Sequence, residues 1–248
     1  MSYLFTVSPD FAPERLSGWY IFNTWLQKQS GAAIHLEMYN HYQSLHEAIK
    51  ADRIDLIYAN PFDAALLVRE HGFLPLVKAE GVSDEAIVAV NEASGVTDVT
   101  QLPPGARVAF TEDPDVRLMG MIMLEPGDLD ATNTVPVLSD NHVLVAKHLL
   151  KNEADVGVFL AEAYDNLSSM IKKQMRILVR SQISVIHHAL MIGPRFQDRR
   201  IELQQILLDM HDCEKGRGVL SSLGFSAWQK IEEEEMEFMI DLMDTLNT

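Results

Sequence analysis

The chain has 248 residues, of which 47% are hydrophobic and 23% are charged, a composition typical of a globular protein with a sizeable core. Its formal net charge of −16 at pH 7 argues against nucleic acids and anionic membranes as partners, because both require a basic surface. The one cysteine, Cys213, excludes an internal disulfide and a cysteine-based zinc cluster, and no run approaches the ~20 apolar residues of a membrane span.

The first part of the chain alternates short apolar runs with helical patterns. Strands are predicted over Tyr3–Val7, Ile34–Met38, Ile54–Tyr58, Phe73–Lys78 and Glu85–Val90. Helices are predicted over Glu14–Gln29, Ser44–Ala51 and Pro61–Glu70. This order predicts a parallel sheet whose crossover connections are right-handed.

A second unit of the same kind begins near Asn91. Its strands are predicted over Arg107–Phe110, Val135–Leu138, Asp155–Phe159, Ile177–Val179 and Ser184–Met191. Its helices are predicted over Val116–Leu124, Asn141–Leu150 and Ala161–Met175, and the chain ends in helices over Arg195–Met210, Val219–Leu223 and Ser226–Leu246. Because strand-like sequence returns at Ser184 and only helices follow, we expect two lobes. Lobe one is predicted as 1–88 plus 189–248 and lobe two as 89–188, joined by two crossing strands, Ala86–Val90 and Ser184–Met191.

The segment around Ile54–Tyr58 has the features of a strand that leads into a ligand-facing turn. The run is apolar enough to be buried on both faces of a sheet. Asn60 can cap the next helix, Pro61 suits its first position, and Gly72 can end it. The carboxyl end of such a strand faces the ligand crevice of an open parallel sheet, although an ordinary strand–helix joint has the same pattern.

The order of the predicted strands and helices and several short sequence motifs resemble those of a known family. The motifs are Asp55–Pro61, the strand Ala86–Val90 followed by Leu102–Phe110, and Ala154–Gly157. Together they resemble the type II periplasmic-binding-protein fold, and more narrowly the substrate-binding proteins of phosphate, phosphite and phosphonate ABC transporters. The resemblance covers nearly the whole chain. It implies a two-lobed α/β fold with mixed, mostly parallel sheets and C-terminal helices.

The chain departs from that family at the start of the helix that follows Phe110. The family usually has a Ser-Thr-Ser-Gly run there, whose hydroxyls and free N–H groups bind the phosphonate oxygens. This chain has the run Thr111 to Leu118 instead, with carboxylates at Glu112, Asp113 and Asp115. These carboxylates would repel a phosphonate dianion, and only Arg117 could offset them. We therefore expect no tight binding of phosphate or simple phosphonates.

The candidate ligand residues share a position at or just beyond the carboxyl end of a predicted strand, or in the returning strand. They are Ser8, Tyr39, Tyr42, Tyr58, Asn60, Thr111, Arg117 and His187. We expect the ligand, a small carboxylate or polar metabolite held by a tyrosine wall, to bind between the lobes. Buried aromatic residues are the alternative role for Tyr39 and Tyr42. No catalytic residue, metal ligand or cofactor is predicted.

Two other clusters are weaker candidates. Glu112, Asp113 and Asp115 could hold a hard cation, but helix capping is favoured because no spaced set of ligands follows. His187 and His188 lie in a predicted strand, so their rings point to opposite faces and could not easily bind one metal. We expect one of them to face the cleft, because the returning strand is where the lobes join, and a half-buried structural histidine is the alternative.

The sequence has no Gly-rich phosphate loop, nucleophile elbow or zinc-protease motif, which favours a binding protein and leaves an enzyme as an alternative. The start of the chain, Met1 to Asp10, has no basic region followed by a long apolar run and a small-residue cleavage site. We therefore expect a cytoplasmic small-molecule-binding or sensory protein that closes two lobes on its ligand and presents that state to a signalling or transporter partner. The alternatives are a cytosolic enzyme on the same fold, for which His187 or His188 is the candidate base, and the substrate-binding component of a phosphonate-type ABC transporter.

Overall fold

The computed structural model describes residues 2–11 and 13–247. The chain forms two compact units, which we call unit 1 (Met1–Ser83 with His187–Thr248) and unit 2 (Asp84–Ile186). The predicted division changed lobes at 88/89 and 188/189 instead. The first boundary differs because the strand that starts at Ala86 pairs along its length with strands of unit 2.

The strands within the described residues are β1 (Ser2–Val7), β2 (Ala33–Leu36), β3 (Leu56–Ala59), β4 (Leu74–Ala79), β5 (Ala86–Asn91), β6 (Arg107–Phe110), β7 (Val135–Leu138), β8 (Val156–Leu160), β9 (Met175–Arg180), β10 (Ala189–Ile192) and β11 (Trp228–Lys230). The α-helices are α1 (Leu16–Ser30), α2 (Tyr42–Lys50), α3 (Pro61–His71), α4 (Pro114–Leu124), α5 (His142–Leu150), α6 (Ala161–Asp165), α7 (Ser169–Lys172), α8 (Arg200–Leu208), α9 (Glu214–Leu223) and α10 (Glu233–Asn247). None of the helices in the described part of the chain combines the length and apolar character needed to cross a membrane.

Unit 1 is built on a mixed sheet with the strand order β11-β4-β10-β3-β1-β2. Strands β2, β1 and β3 run parallel, whereas β10 is antiparallel to both β3 and β4. An aromatic cluster fills the core, where Trp19 packs against the rings of Phe5, Phe22 and Tyr58. The three tryptophans of the sequence, Trp19, Trp25 and Trp228, all lie in this unit.

Unit 2 repeats this plan with the strand order β7-β6-β8-β5-β9. Strands β7, β6 and β8 run parallel, and β5 is antiparallel to β8 and β9. Ile87 and Ala89 of β5 lie in one apolar cluster, and Val88 and Val90 lie in another. Since alternate residues of a strand point to opposite faces, both faces of this sheet are covered. The α/β fold class with mixed sheets is therefore confirmed.

In each sheet, an aspartate just before one of the parallel strands binds the neighbouring parallel strand in a similar way. In unit 1, Asp55 accepts hydrogen bonds from Leu4 N (2.8 Å) and from Nε and Nη2 of Arg195 (2.7 and 2.6 Å). In unit 2, Asp155 accepts from the backbone N (2.8 Å), Nε (3.0 Å) and Nη2 (2.8 Å) of Arg107. The two aspartates differ in burial, because the side chain of Asp55 is 1% exposed and that of Asp155 is 37% exposed.

Two predicted segments differ from the structure because local hydrogen bonds interrupt the helix and delay the start of the strand. The helix predicted over Ala161–Met175 is split into α6 and α7, since Ser168 Oγ accepts from Ile171 N (3.3 Å) and starts a new helix. The strand predicted over Ser184–Met191 begins only at Ala189. Ser184 has a left-handed φ of 59°, and its N–H donates to the carboxylate of Glu85 (2.7 Å) instead of to a strand.

The last predicted helix also begins later than expected. Trp228 to Lys230 form β11, which pairs antiparallel with β4, and the helix α10 starts at Glu233. Trp228 is 3% exposed and packs against Phe22 and Phe225. Its contacts with the core therefore outweigh the helical spacing of its neighbours.

Candidate functional site

In unit 1, the carboxyl ends of β1, β2 and β3 and the amino end of β10 bring a set of polar residues together. Val7 of β1 pairs with Tyr58 of β3, and Ala59 pairs with Ala189 of β10. The residues beyond these strand ends therefore meet at one edge of the sheet. We call this the unit-1 edge and define it by Ser8, Asp10, Tyr39, Tyr42, His46, Tyr58, Asn60, Asp63 and His188.

Asn60 and Ser8 are fully buried and are committed to hydrogen bonds within the unit. Asn60 Oδ1 accepts from Asp63 N (2.7 Å) and caps α3, while Asn60 Nδ2 donates to Tyr42 Oη (3.1 Å). The backbone N of Asn60 donates to Ser8 Oγ (3.1 Å), which donates to Asp63 Oδ2 (3.3 Å). Both residues are 0% exposed. They therefore shape the edge, and the direct ligand contact predicted for them stays a prediction.

Asp63 also joins the helix α2 to this network. Its Oδ1 lies 2.7 Å from Nε2 of His46, and the side chain of Asp63 is 0% exposed whereas that of His46 is 31% exposed. The hydrogen bond to Asp63 raises the pKa of His46 above its usual range, and it outweighs the opposing effect of burial.

A second carboxylate–histidine pair at the unit-1 edge consists of Asp10 and His188. Asp10 Oδ2 is 3.2 Å from Nε2 of His188, and the side chain of Asp10 is 5% exposed. Burial alone would raise the pKa of Asp10, but the charge of His188 and hydrogen bonds from His188, Tyr42 and Asn60 lower it. The ring of His188 stacks on Tyr58 with the centroids 5.2 Å apart. The unit-1 edge thus contains a buried carboxylate whose pKa is lowered by the neighbouring His188.

Tyr39, at the unit-1 edge, and His187 were both predicted as ligand residues, and neither shares the hydrogen bonds described above. Tyr39 is 8% exposed, and burial, followed by interactions with Glu37, raises its pKa. The Nε2 atom of His187 is 3.3 Å from Glu235 of α10, and Glu235 also pairs with Lys78. Neighbouring side chains in an extended segment point in opposite directions. The structure accordingly brings His188, rather than His187, to Asp10 at the edge.

In unit 2, two hydroxyl residues follow adjacent parallel strands. Phe110 of β6 pairs with Leu138 of β7, so that Thr111 and Ser139 stand beside each other, and Ser139 N donates to the carbonyl of Phe110 (2.9 Å). Thr111 is 8% exposed and Ser139 is 4% exposed. Neither side-chain hydroxyl has a hydrogen-bond partner among the residues that the structure describes. Both hydroxyls are therefore open to a hydrogen-bond acceptor that reaches this edge.

The helix α4 starts beside Thr111, and its own carboxylate occupies its first N–H groups. Asp113 Oδ1 accepts from Asp115 N (3.2 Å) and Val116 N (3.3 Å), and Asp113 and Asp115 are both buried. The guanidinium of Arg117, an exposed residue, lies 4.8 Å from the ring centroid of Phe110. The two hydroxyls and the guanidinium are thus donors at this edge of unit 2. Together with Asp113 and Asp115, we call these residues the unit-2 edge.

Four of these residues, Asp10, His46, Asp63 and Ser139, are not among those predicted from the sequence, and His188 was considered there only as an alternative to His187. Ser139 could have been found by the rule that selected Thr111, since each directly follows a predicted strand. Asp63 is the third residue of a helix capped by Asn60, where a carboxylate is favourable, but the sequence does not show which histidine approaches it.

Asn60→Ala is expected to lower the free energy of unfolding by about 1–2 kcal/mol, because it removes the cap of α3 and the donor to Tyr42. The measurement is urea denaturation followed by far-UV circular dichroism. Asn141→Ala is the matched control, since Asn141 caps α5 through Leu144 N (3.0 Å) at an exposed position and should cost about 1 kcal/mol or less. Equal losses in the two variants would show that the donor to Tyr42 adds nothing.

The comparison with protein families gives one match over nearly the whole chain. The model of the family described as "ABC transporter, phosphonate, periplasmic substrate-binding protein" matches residues 5–236. Among curated proteins, none matches this chain by sequence.

Solved structures share the fold at low sequence identity. XAC2383 from Xanthomonas citri, bound to chloride ion, is 15% identical with a TM-score of 0.80, and the match covers 99% of this chain and 98% of that one. PhnD1 from Prochlorococcus marinus, in complex with methylphosphonate, is 13% identical with a TM-score of 0.83 and the same coverage. The alkanesulfonate-binding protein SsuA from Xanthomonas axonopodis pv. citri, bound to MOPS, is 14% identical with a TM-score of 0.67 and covers 99% and 93%. These structures confirm the type II periplasmic-binding-protein fold.

The predicted cytoplasmic location is wrong. The matching family consists of periplasmic substrate-binding proteins of a transporter. The prediction relied on the residues at the start of the sequence, which carry no information about how the fold is used. Of the functions considered from the sequence, the transporter component fits the family better than a cytoplasmic sensory protein does.

Proposed function

Because this chain belongs to the family of periplasmic substrate-binding proteins of phosphonate ABC transporters, we propose that it binds a small molecule for an ABC importer. We further propose that the ligand carries a monoanionic oxygen-bearing group, a carboxylate or a sulfonate. The observation that supports this ligand class is the pair of buried hydroxyls of Thr111 and Ser139.

The two hydroxyls favour a ligand that accepts hydrogen bonds. A buried polar group without a partner costs about 1–3 kcal/mol, so an acceptor that reaches both hydroxyls recovers free energy on binding. Arg117 adds a planar donor that suits the two oxygens of a carboxylate or sulfonate. Asp113 already accepts from the N–H groups of Asp115 and Val116 at the start of α4. The ligand is therefore expected to bind through the two hydroxyls and Arg117 instead.

The charge of the unit-2 edge favours one negative charge over two. Asp113 and Asp115 oppose an anion there, and Arg117 offsets only part of their effect. Two like unit charges about 4 Å apart repel by about 4 kcal/mol at an effective dielectric constant of about 20, and a dianion doubles that cost. The fold itself accommodates sulfonates, since the neighbour from Xanthomonas axonopodis is an alkanesulfonate-binding protein.

Calorimetry with methanesulfonate, acetate and methylphosphonate tests the proposal. We expect methanesulfonate or acetate to bind, and methylphosphonate to bind more weakly at a pH where it is a dianion. Thr111→Val and Ser139→Ala should each lower the affinity about tenfold, because each removes one hydrogen bond worth about 1.4 kcal/mol.

Thr6→Val is the matched control for these variants. Thr6 lies in β1, is 0% exposed, and its hydroxyl also has no partner among the described residues, but it lies inside the sheet rather than at its carboxyl end. This variant should leave the affinity unchanged. If none of the three compounds binds, the proposed ligand class is wrong. If binding survives in the double variant of Thr111 and Ser139, the ligand lies elsewhere.

A further inference from the structure

The two carboxylate–histidine pairs of the unit-1 edge are linked through Tyr42. Asp63 accepts from His46 and donates through its backbone N to Asn60, and Asn60 donates to Tyr42. Tyr42 and His46 are four residues apart on α2, so they lie on the same face of the helix, and their ring centroids are 6.0 Å apart. Tyr42 and His46 are therefore connected both directly and through Asp63 and Asn60. Tyr42 also contacts Asp10, the carboxylate of the second pair.

We propose that the proton shared by His46 and Asp63 holds Tyr42 in place at the unit-1 edge, and that the affinity for an anionic ligand rises when His46 is protonated. The part concerning the ligand rests on the proposed function, whereas the part concerning Tyr42 does not. His46 and Asp63 are positioning residues in this scheme, because they act on the ligand through Tyr42 and through their charge.

The physical reason is the burial of Asp63. Its carboxylate is 0% exposed and accepts from Ser8 Oγ as well as from His46, and of these two donors only His46 can carry a positive charge. When His46 is neutral, the negative charge of Asp63 has no opposite charge from this pair. An uncompensated carboxylate beneath the edge repels an anionic ligand and weakens the hydrogen bonds that lead through Asn60 to Tyr42.

The pKa of His46 is shifted in the direction that this proposal requires, because a raised pKa means that the folded protein favours protonated His46. Its pKa is raised, first by the hydrogen bond with Asp63 on α3, and Lys50 on its own helix acts in the opposite direction. A raised histidine pKa means that the stabilisation is fully present below the ordinary pKa of about 6.5 and is lost as the pH rises through the higher value in the folded protein. The pair of Asp10 and His188 is the other titratable group that reaches Tyr42, and substitution of His46 alone separates the two.

The first test uses the ligand-free protein. Nuclear magnetic resonance of the full chain, with labelled histidine and tyrosine, follows the ring signals of His46 and Tyr42 between pH 5.5 and pH 8.5. We expect the Tyr42 signals to shift with the same midpoint as those of His46. In His46→Gln, whose amide still donates to Asp63 but does not titrate, that shift should vanish. Tyr42 signals that do not follow His46 overturn the proposal.

The second test measures the affinity for methanesulfonate over the same pH range, since its own charge is constant there. The wild-type affinity should fall by up to about tenfold per pH unit above the pKa of His46, the limit for loss of one proton. His46→Gln should show no such fall. His148→Gln is the matched control, because His148 forms a similar pair with Glu153 (2.8 Å) in unit 2 and should keep the wild-type profile.

The outcomes are separable. If methanesulfonate binds and His46→Gln keeps the wild-type pH profile, the proposal is overturned while the proposed function stands. If methanesulfonate binds at no pH, the proposed function fails in its choice of ligand, and the coupling of Tyr42 to His46 is still decided by the first test.

Discussion

Asp55→Ala is expected to lower the free energy of unfolding of unit 1 by about 3 kcal/mol, the largest loss of stability among the substitutions considered. The substitution removes the acceptor for Leu4 N and for two donors of Arg195 at a site that is 1% exposed. Hydrogen bonds to a charged group contribute about 1.5–3 kcal/mol each, but Arg195 is 60% exposed and regains hydration, which keeps the total well below their sum.

Asp155→Ala is the matched control for this prediction. Asp155 makes three bonds of the same kind with Arg107, yet both side chains are more than a third exposed. An exposed ion pair contributes at most about 1 kcal/mol, so the loss should be correspondingly small.

The two variants need different probes. Tryptophan fluorescence in urea reports on unit 1, where the three tryptophans lie, and far-UV circular dichroism reports on both units. Equal losses in the two variants would show that burial of Asp55 is not what makes its bonds strong.

Local rules predicted the joint between β3 and α3 well. The sequence indicated Asn60 as the cap, Pro61 as the first helical residue and Gly72 as the end, and the structure shows a bond from Asp63 N to Asn60 Oδ1 and a left-handed Gly72. These features depend on a few neighbouring residues, so the sequence contains what determines them. Trp228 shows the opposite case, because its strand depends on pairing with β4, a segment about 150 residues away.

The sequence predicted which residues meet at the carboxyl ends of the strands in unit 1, but not the contacts that they make there. The rule that ligands bind at the carboxyl ends of parallel strands selected Ser8, Tyr58 and Asn60, and the structure does bring these residues together. The rule does not say which atoms face outward. The amide of Asn60 is taken up by its own unit, and His188 rather than His187 pairs with Asp10. These distinctions depend on side-chain packing between segments that are far apart in the chain.

Asp113→Ser is expected to raise the affinity for methylphosphonate by about tenfold to a hundredfold over a weakly binding wild type. Serine can still cap α4 through its hydroxyl, so the helix should be retained at little cost. The substitution removes one negative charge from the unit-2 edge and reduces the competition for the N–H groups of Asp115 and Val116. A gain of that size corresponds to about 1.4–2.8 kcal/mol, which is less than the direct repulsion of two charges at close range because Arg117 already offsets part of it.

Calorimetry with methylphosphonate at fixed, moderate salt provides the measurement, and Glu112→Gln is the matched control. Glu112 is the neighbouring carboxylate and carries the same charge, but it is exposed and water screens it, so its removal should change the affinity less than threefold, about 0.6 kcal/mol. Micromolar binding of methylphosphonate by the wild type would contradict the argument, because it would mean that Asp113 does not oppose a dianion. An equal gain in the two variants would mean that net charge, rather than the buried position of Asp113 at the start of α4, disfavours phosphonates.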